Sequence, residues 1–378
     1  MQEKDKIAIN IFIDAFGWEL YNQNTWFLER LATFKTPLKS ILGYSSACIP
    51  SIITSRPPSE HGYWSSFYYS PGTSPFRIFK YLDFLPAAIT DSARVRRYIS
   101  KIAKRLYGFS GYFGIYSVPF KYLPYFDYQE KYDIWIEGGM KGSATIFDKL
   151  RQRQINFFLE KDGSDKTKFE KLNKALAERK ISFAYLHLNE LDNLLHLNGK
   201  KSGIVKNKIR DYDIQIRELY DNAKKYYGTV DLTVFSDHGM KEVTAAYNLI
   251  KDIESLNLAY GRDYAAFYDA TMARFWFLNT EARNKITDRL EEIREGRMLR
   301  DDELESFGVY FKDHKYGDAI FLMNPGFMII PSFMGRKPLR GMHGYHPDDP
   351  DSFAIYLTTA DPEARPQTIL DIFSFILI

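Results

Sequence analysis

The chain has 378 residues, which is enough to bury a large core in one elaborated domain or in two. Its formal net charge of +3 is close to balance and gives no reason to expect a nucleic-acid polymer as a partner. The single cysteine excludes an intramolecular disulfide framework, and no apolar stretch reaches the roughly 20 residues of a membrane-spanning helix. The polar segment 2–6 before the first apolar run is neither a signal nor a transit peptide, so we expect a cytoplasmic protein, free or peripheral to a membrane.

Strand-like and helix-like stretches alternate along most of the chain. The predicted strands are Ile7–Ile13, Ile155–Leu159, Ile181–His187, Val230–Ser236, Arg274–Leu278 and Phe353–Leu357. The predicted longer helices are Lys166–Arg179, Ile204–Tyr227 and Glu281–Gly296. Because such alternation is typical of parallel sheets, the sequence predicts an α/β fold with a mostly parallel central sheet and helices on both faces.

Two regions interrupt this alternation. Residues 63–135 are crowded with Tyr, Phe and Pro, and residues 240–345 mix short elements of both kinds. We expect one domain over residues 1–378, in which 63–135 form an aromatic-rich cap or insertion over the crevice at the strand ends. Residues 240–345 would form a secondary sub-domain that returns the chain and delivers His343.

Polar residues stand at the C-terminal ends of several apolar runs. They are Asp14, Asp192, His196, Asp237, His238 and His343. In an open α/β sheet the strand ends converge on one crevice, so side chains remote in sequence can meet there. Three carboxylates and three imidazoles in one crevice would make a ligand set for two metal ions.

The spacing within these segments constrains how they could share two ions. Asp192 and His196 are four residues apart, one helical turn, so both side chains can reach the same ion. Asp237 and His238 are adjacent, so on an extended strand end they point to opposite sides and can serve two different ions. Mixed imidazole and carboxylate ligation suits zinc best, with manganese or iron as competitors. Two ions about 4 Å apart would clamp the attacking and leaving oxygens of an in-line displacement at phosphorus.

A hydroxyl nucleophile is available in the segment 43–54, where small residues run into an apolar helix. A serine at the start of that helix would lie where backbone N–H groups and the helix dipole favour an anionic phosphoryl group. A metal ion in contact with the hydroxyl would lower its pKa and activate it. The alternative is a serine that only caps the helix.

Taken in order, these segments resemble the alkaline phosphatase superfamily, and most of all its type I phosphodiesterase/nucleotide pyrophosphatase branch. That family has a first-strand Asp, a Thr or Ser nucleophile before a helix Thr, a Pro-x-x-His-Gly turn, an Asp-x-x-x-His, a Ser-Asp-His-Gly-Met and a late His-Gly-Tyr. This chain supplies Asp14, Ser45 with Thr54 nine residues on, Pro58 to Gly62, Asp192 with His196, Ser236 to Met240, and His343 to Tyr345. The match spans nearly the whole chain.

The resemblance implies an alkaline phosphatase-like fold and a two-metal phosphohydrolase. One ion would be held by Asp192, His196 and His343, and the other by Asp14, Asp237, His238 and the nucleophile. Ser45 would attack phosphorus and form a phosphoseryl intermediate, with Ser46 as the fallback nucleophile one residue away. The expected cofactors are two divalent ions, Zn²⁺ first and Mn²⁺ second. The expected substrate is a phosphodiester or pyrophosphate of a nucleotide, a nucleotide sugar or a lipid-linked group.

Departures from the family pattern leave other functions open. Ser66 stands where the nucleotide pyrophosphatases have an Asn that contacts a phosphate oxygen, and Thr54-Ser55 replaces Thr-Gly. A phosphomonoesterase with the same metals is the leading alternative. A sulfatase is weaker: Cys48 begins a Cys-x-Pro-Ser run but lacks the following Arg and lies six residues before Thr54, so we expect a buried thiol there. A binding protein that kept the fold without turnover is the third alternative.

The cap region contains a basic amphipathic segment, Ala93–Leu106, followed by an aromatic-rich stretch, 109–126. In a helix the apolar residues of this segment share one face; they are Val95, Tyr98, Ile99, Ile102 and Leu106. Two interpretations stay open, a cap helix buried on its apolar face and an element that contacts a membrane surface. The expected partner is a small-molecule or lipid-linked phosphate, and the oligomeric state stays undetermined.

Four residues of the cap region are expected to contact the part of the substrate beside the phosphate. They are Trp64, Ser66, Phe113 and Tyr116. Two histidines are predicted to be structural: His61 would close the turn after the nucleophile helix, and His187 would lie in the core of a strand.

Overall fold

A computed structural model describes residues 6–82, 90, 92–362 and 364–377. Its strands are β1 (Lys6–Ile13), β2 (Phe34–Leu38), β3 (Phe67–Tyr69), β4 (Phe126–Tyr128), β5 (Phe157–Glu160), β6 (Phe183–Leu188), β7 (Thr229–Phe235), β8 (Lys241–Glu242), β9 (Ala245–Tyr247), β10 (Tyr264–Tyr268), β11 (Met272–Phe277), β12 (Gly296–Met298), β13 (Ala319–Met323), β14 (Phe327–Ile329), β15 (Gly341–Met342) and β16 (Ala354–Thr358).

The α-helices are α1 (Trp18–Asn22), α2 (Ser45–Thr54), α3 (Pro58–His61), α4 (Ala93–Leu106), α5 (Ile146–Gln152), α6 (Asp165–Ala177), α7 (Glu190–Asn198), α8 (Gly203–Lys224), α9 (Leu249–Glu254), α10 (Thr280–Glu291), α11 (Asp301–Ser306) and α12 (Ile372–Ile376). Short 3-10 helices cover Arg77–Leu82, Leu123–Tyr125 and Pro350–Ser352. None of the described helices is long and apolar enough to cross a membrane.

The central sheet has six strands in the order β2-β16-β7-β1-β6-β5. β1 pairs in parallel with β6 and β7, and β5 pairs in parallel with β6. β16 runs antiparallel to both of its neighbours, β2 and β7. The predicted mostly parallel α/β sheet is therefore confirmed, with one reversed strand that the sequence pattern did not identify.

Helices cover both faces of this sheet because its buried strands carry apolar residues on both sides. On one face, Ile7, Ile9 and Ile11 of β1 pack in one core with apolar residues of α6 and α8. On the other face, Ala8 and Phe12 of β1 pack with residues of α2, α5 and α12. The alternation of these side chains along β1 is the two-residue period of an extended strand.

The edge strand β2 was not predicted, because Pro37 lies within it. Proline cannot donate a ladder hydrogen bond, so a sequence pattern that contains it argues against a central strand. In the structure β2 is the last strand of the sheet and pairs only with β16. An edge strand tolerates proline because one side of its backbone has no strand neighbour.

A second, antiparallel sheet lies within residues 240–345 and has the order β10-β11-β13-β12. The strand predicted at Arg274–Leu278 belongs to this sheet, as Met272–Phe277, and not to the central one. The helix predicted to continue to Gly296 ends at Glu291, and Gly296 begins β12. A Cβ at position 296 would lie 2.6 Å from the carbonyl oxygen of Leu322 on the neighbouring strand, so close strand packing requires glycine there.

The aromatic-rich residues 63–135 pack against this second sheet in a shared core. The Phe67 ring stacks on Phe267 of β10, with ring centroids 5.0 Å apart. β3 and β4 of this region form a small antiparallel pair of their own. The chain then returns through β15, which pairs with β8, and places His343 immediately after it. The division of the chain into a cap and a sub-domain stays a prediction.

Candidate active site

A cavity of about 780 Å³ opens beside the C-terminal ends of β1, β6 and β7. Asp14, Asp192, His196 and His343 are part of its lining, which continues into the aromatic-rich region. Asp237 and His238, which follow β7, are buried. We call the six residues Asp14, Asp192, His196, Asp237, His238 and His343 the metal-ligand cluster. We call the cavity-lining rings of Phe67, Tyr112, Tyr116 and Tyr132 the aromatic wall.

One half of the metal-ligand cluster joins Asp192, His196 and His343, whose ligand atoms lie within 4.8 Å of one another. Asp192 Oδ1 lies 3.3 Å from His196 Nε2 and 3.7 Å from His343 Nε2. Both Asp192 and His196 belong to α7, so their four-residue spacing puts them on one helical face, as the sequence predicts. His343 reaches them from the far end of the chain.

The other half joins Asp14, Asp237 and His238, again within 4.8 Å. His238 Nε2 lies 3.2 Å from Asp237 Oδ2 and 3.7 Å from Asp14 Oδ1. Asp237 and His238 therefore belong to one group, as the family resemblance implies, and not to two as the geometry of an extended strand would allow. β7 ends at Phe235, so the adjacent pair lies on a turn to which the alternation of an extended strand does not apply.

Backbone geometry after β1 and β7 holds this half in place. Ala15 adopts a left-handed conformation with φ of 63°, and its N–H donates to Asp237 Oδ1 at 3.3 Å. Gly239 packs directly on Gly17, where a Cβ added to Gly17 would lie 2.3 Å from the Gly239 Cα. This close approach of two backbones requires glycine at position 17, and a Cβ at position 239 would lie 2.2 Å from the Asp351 carbonyl oxygen, so glycine is required there too.

The two halves are adjacent, since the rings of His238 and His343 stack with centroids 3.8 Å apart. Contacts through the other ring nitrogen, Nδ1, orient two of the imidazoles. His196 Nδ1 lies 2.8 Å from the Gly341 carbonyl oxygen, and His238 Nδ1 lies 3.0 Å from that of Gly239. Donation from Nδ1 to a carbonyl leaves the Nε2 lone pair free for a metal ion, which is the usual arrangement of metal-binding histidines.

The electrostatics of the cluster favour a bound cation. Burial raises the pKa of Asp14 well above its usual range, and the charges of Asp237 and Asp192 raise it further. Burial, with the nearby His238, lowers the pKa of His343 well below its usual range, so this imidazole is in the neutral, metal-binding form. Among the described residues, four buried atoms of the cluster have no hydrogen-bond partner: Asp14 Oδ1, Asp192 Oδ1, Asp237 Oδ2 and His343 Nδ1. Such atoms are costly to bury unless a ligand satisfies them, so the donor set fits divalent metal ions.

The Ser45 hydroxyl contacts the cluster, with Oγ 3.0 Å from His238 Nε2. Ser45 is the first residue of α2, and its neighbour Ser46 also lines the cavity. Among the described residues, Ser46 Oγ makes no hydrogen bond to the cluster. The nine-residue spacing to Thr54 indicates Ser45, and Ser45 is also the serine that contacts the cluster in the structure.

Cys48 lies away from the cavity, one turn along α2. Its side chain is fully buried, and its Sγ lies 3.7 Å from Ser40 Oγ. Burial raises the pKa of this thiol far above its usual range. The buried placement matches the sequence expectation and gives the sulfatase alternative no nucleophile at the cluster.

His61 closes the turn after α2, as expected. The Tyr63 N–H donates to its Nδ1, and its Nε2 lies 2.9 Å from Ser51 Oγ. Burial lowers the pKa of His61 to about 3, so the ring stays neutral and joins α2 to the next turn. Ser55, at the end of α2, has a left-handed φ of 57° at the position where the related pattern has glycine.

Comparison with known proteins agrees with this geometry. The model of the type I phosphodiesterase / nucleotide pyrophosphatase family matches residues 8–346. The chain belongs to this family. By sequence, no curated protein matches it at a significant level.

Solved structures show the same fold at low identity. Human ectonucleotide pyrophosphatase / phosphodiesterase 5 aligns with a TM-score of 0.68 and 13% identity, over 98% of this chain and 93% of that one. The murine protein aligns with a TM-score of 0.67 and 14% identity, over 98% and 94%. An inactive variant of the murine protein, solved in complex with AMP, aligns with the same values. At this identity the likeness establishes the fold of a type I phosphodiesterase / nucleotide pyrophosphatase.

Of the four residues expected to contact substrate, two line the cavity and two do not. Ser66 and Tyr116 are part of the lining. Trp64 is buried in a separate apolar cluster, and its Nε1 donates to the Leu42 carbonyl oxygen at 2.6 Å. Phe113 is buried in the core of the aromatic region, against Phe76 and Tyr128. The predicted substrate roles of Trp64 and Phe113 are therefore corrected, because an aromatic-rich sequence does not distinguish core rings from cavity rings.

Sequence reasoning missed Glu130, a carboxylate in the cavity lining. Its Oε1 accepts a hydrogen bond from Ser66 Oγ at 2.8 Å. Burial raises the pKa of Glu130 to about 7. The Ser66 hydroxyl therefore already donates a hydrogen bond within the protein. Glu130 lies in the cavity lining beside the aromatic wall. No signal in the local sequence marks it, because its partner lies 64 positions away.

His187 was expected in the core, yet it lines the cavity. Its Nε2 lies 3.9 Å from Asp14 Oδ2, and among the described residues it has no hydrogen-bond partner. Burial lowers the pKa of His187 to about 3, so it is a neutral group next to the cluster. The strand assignment was correct, but the strand period alone did not show which face of β6 opens to the cavity.

A buried ion pair supports the start of α7, which carries Asp192 and His196. Lys168 Nζ is fully buried, and it donates to Asp165 Oδ1 at 3.0 Å and to the His187 carbonyl oxygen at 2.7 Å. Asp165 in turn accepts the backbone N–H of Glu190, the first residue of α7, at 3.2 Å. These contacts fix the turn from β6 into α7, and so position the two cluster residues of that helix.

Proposed function

We propose that the protein is a metal-dependent hydrolase that cleaves a phosphodiester or pyrophosphate through a phosphoseryl intermediate. One observation carries the proposal: the Ser45 hydroxyl lies 3.0 Å from His238 in a cluster whose six Asp and His residues form two groups of three. Family membership supports the class of reaction. The substrate classes that fit are nucleotides, nucleotide sugars and lipid-linked phosphates.

Two divalent cations, Zn²⁺ first and Mn²⁺ second, would be held by the two halves of the metal-ligand cluster and would supply charge neutralisation and hydroxyl activation. Ser45 Oγ would attack phosphorus in line, and the bond from phosphorus to the leaving-group oxygen would break. Water would then attack phosphoserine, which releases the phosphate product and restores the hydroxyl. The start of α2, where backbone N–H groups are not used within the helix, would face the phosphoryl oxygens.

The substrate group beside the phosphate would lie along the aromatic wall. Stacking of a base on an aromatic ring contributes about 1–3 kcal/mol in nucleic-acid systems. An apolar tail could gain as much by burial. The AMP bound by the murine relative supports a nucleotide as one such group. The rings of the wall accommodate either chemistry.

Metal content and a substrate screen test the proposal. Purified, metal-replete protein should carry close to two zinc-like ions per chain by elemental analysis, and Asp192→Asn with His343→Ala should lower this by about one ion. The same protein should hydrolyse bis-p-nitrophenyl phosphate and nucleotide sugars faster than p-nitrophenyl phosphate. Preference for the monoester would favour a phosphomonoesterase instead. Metal binding without turnover of any phosphate would favour a binding protein that kept the fold.

A further inference from the structure

The side of α4 that packs on the protein includes polar as well as apolar side chains. Its buried residues are Arg96, Ser100 and Ala103. Arg96 donates through Nη1 to the carbonyl oxygen of Val118 at 2.7 Å, and Ser100 Oγ accepts the N–H of Ile115 at 3.1 Å. The apolar face of α4 is therefore only partly buried, since Ile99 packs against the core, whereas Tyr98, Ile102 and Leu106 do not.

Three residues of the apolar face of α4 form a stripe that points outward. Tyr98, Ile102 and Leu106 follow one another at four-residue intervals and are 69%, 50% and 76% exposed. Residues at this spacing lie on one face of a helix. Three large exposed apolar side chains in a row are unusual for a surface that faces only water, and such patches mark interaction sites.

Cations border this stripe. The sequence of α4 contains six Arg or Lys and no Asp or Glu. Arg96 faces inward, and the remaining five are exposed or half-buried: Arg94, Arg97, Lys101, Lys104 and Arg105. An apolar stripe beside a purely cationic one is the pattern of a helix that lies in the interface of an anionic lipid bilayer.

The neighbouring 3-10 helix, Arg77–Leu82, adds to the same part of the surface. Its Phe79 packs on Phe120 with ring centroids 5.3 Å apart, and Arg96 of α4 lies 4.9 Å from the same Phe120 ring. Ile78 and Tyr81 of this element are 62% and 66% exposed. α4 and this 3-10 helix therefore both contact the Phe120 ring, and both expose large apolar side chains.

This surface adjoins the active-site cavity. Lys104 of α4 is part of the cavity lining, as is Tyr112 of the aromatic wall, which is also exposed. We propose that α4 docks on the surface of an anionic lipid bilayer, with Tyr98, Ile102 and Leu106 among the lipid headgroups. The positive charge of the helix complements anionic lipid, and this complementarity selects a bilayer as the occupant. Docking would bring the mouth of the cavity to the bilayer. That the cavity then takes up a lipid-linked substrate rests on the proposed function, whereas the docking itself does not.

Vesicle sedimentation with the full chain tests the docking. The protein should sediment with vesicles that contain phosphatidylserine at least about ten times more strongly than with phosphatidylcholine alone, and added salt should weaken this binding. A Tyr98→Ser/Leu106→Ser variant and an Arg97→Glu/Lys101→Glu variant should each lose about tenfold or more. The matched controls are Ile214→Ser and Lys206→Glu, exposed positions on α8 that should bind as the unmodified protein does.

The altered side chains are exposed, so circular dichroism and melting temperature should match those of the unmodified protein in all variants. Absence of binding to both vesicle types, or equal binding by the α4 variants and the α8 controls, would overturn the proposal. A concentration-dependent dimer that the Tyr98→Ser/Leu106→Ser variant abolishes would overturn it as well, since a second copy of the chain would then cover this face. Hydrolysis is not measured in this experiment, so its result is independent of the proposed function.

Discussion

The metal-ligand cluster, four of whose residues line the cavity, and the aromatic wall of the same cavity are built by opposite means. In the cluster, buried Asp14 and Asp237 repel each other, and both have a pKa raised by burial. In the wall, the Phe67 ring stacks on Phe267, and Tyr116 packs against Phe67 with centroids 6.5 Å apart. The cluster has buried polar atoms without a hydrogen-bond partner among the described residues, whereas the inner rings of the wall, Phe67 and Tyr116, are satisfied by packing. Unsatisfied buried polar atoms, and not conspicuous aromatic content, therefore identify the chemical part of this cavity.

The largest expected effect tests the cluster through its nucleophile. Ser45→Ala should lower kcat/KM for a phosphodiester by at least about 10³-fold, because the attacking oxygen is removed. Metal content and melting temperature should stay unchanged, since the hydroxyl adds little to packing. The matched control, Ser46→Ala, should lose less than about tenfold. A reversed order of the two variants would move the nucleophile by one residue.

The support beneath the cluster gives the second prediction. Lys168→Ala should lower the free energy of unfolding by about 3–5 kcal/mol, because it removes the fully buried cation of the pair and leaves the buried Asp165 with only Lys208, whose Nζ lies 3.7 Å from Oδ2. Lys171→Ala, in the same helix, removes a half-exposed pair with Glu160 and should cost at most about 1 kcal/mol. Urea unfolding of metal-loaded protein measures both. Equal losses would show that the buried pair contributes no more than a surface one.

The polar edge of the wall gives a pH-dependent prediction. The pKa of Glu130 is about 7 in the folded chain, above its ordinary value of 4.5. The folded state therefore holds this proton longer than the unfolded state, so the contribution to stability is fully present below about pH 4.5 and is lost as pH rises to about 7. Relative to Glu130→Gln, the unmodified protein should lose about 1–3 kcal/mol between pH 5 and pH 8.

Paired urea titrations of the two proteins at both pH values measure this difference. Subtracting one protein from the other removes the pH dependence of the metal ligands, which both share. Glutamine keeps an acceptor for the Ser66 hydroxyl, so the variant isolates the charge. Parallel stability curves would mean that Glu130 ionises at its ordinary pKa and that water reaches it freely.

The smallest effect separates a cavity ring from a core ring within the aromatic region. Tyr112→Ala, at the exposed rim of the wall, should lower kcat/KM about 5- to 20-fold for a nucleotide-linked phosphate and leave aryl phosphates unchanged. Phe113→Ala should instead lower the free energy of unfolding by about 3–5 kcal/mol and affect all substrates alike. Steady-state kinetics on both substrate classes, with melting temperatures, distinguishes the two. If Tyr112→Ala impairs both classes equally, the wall does not contact the substrate.

Local patterns determined much of this protein. The period of β1 and the spacing of Asp192 and His196 predicted a strand and a helical pair that the structure contains, because these depend only on neighbours in sequence. The order of the polar residues along the chain also predicted which of them meet at the strand ends. The motif at Ser45 and Thr54 selected the serine that contacts His238.

Only the tertiary structure decided the rest. The reversal of β16, the contact of Glu130 with Ser66, and the exposure of Tyr98, Ile102 and Leu106 on α4 each depend on contacts between segments far apart in sequence. The amphipathic pattern of α4 left a buried and an exposed apolar face open; in the structure the backbone carbonyls of Tyr116 and Val118 bind Arg96, and Tyr98, Ile102 and Leu106 are exposed. A hydrophobic pattern states which side chains share a face, but the partners that bury or expose that face are supplied by the fold.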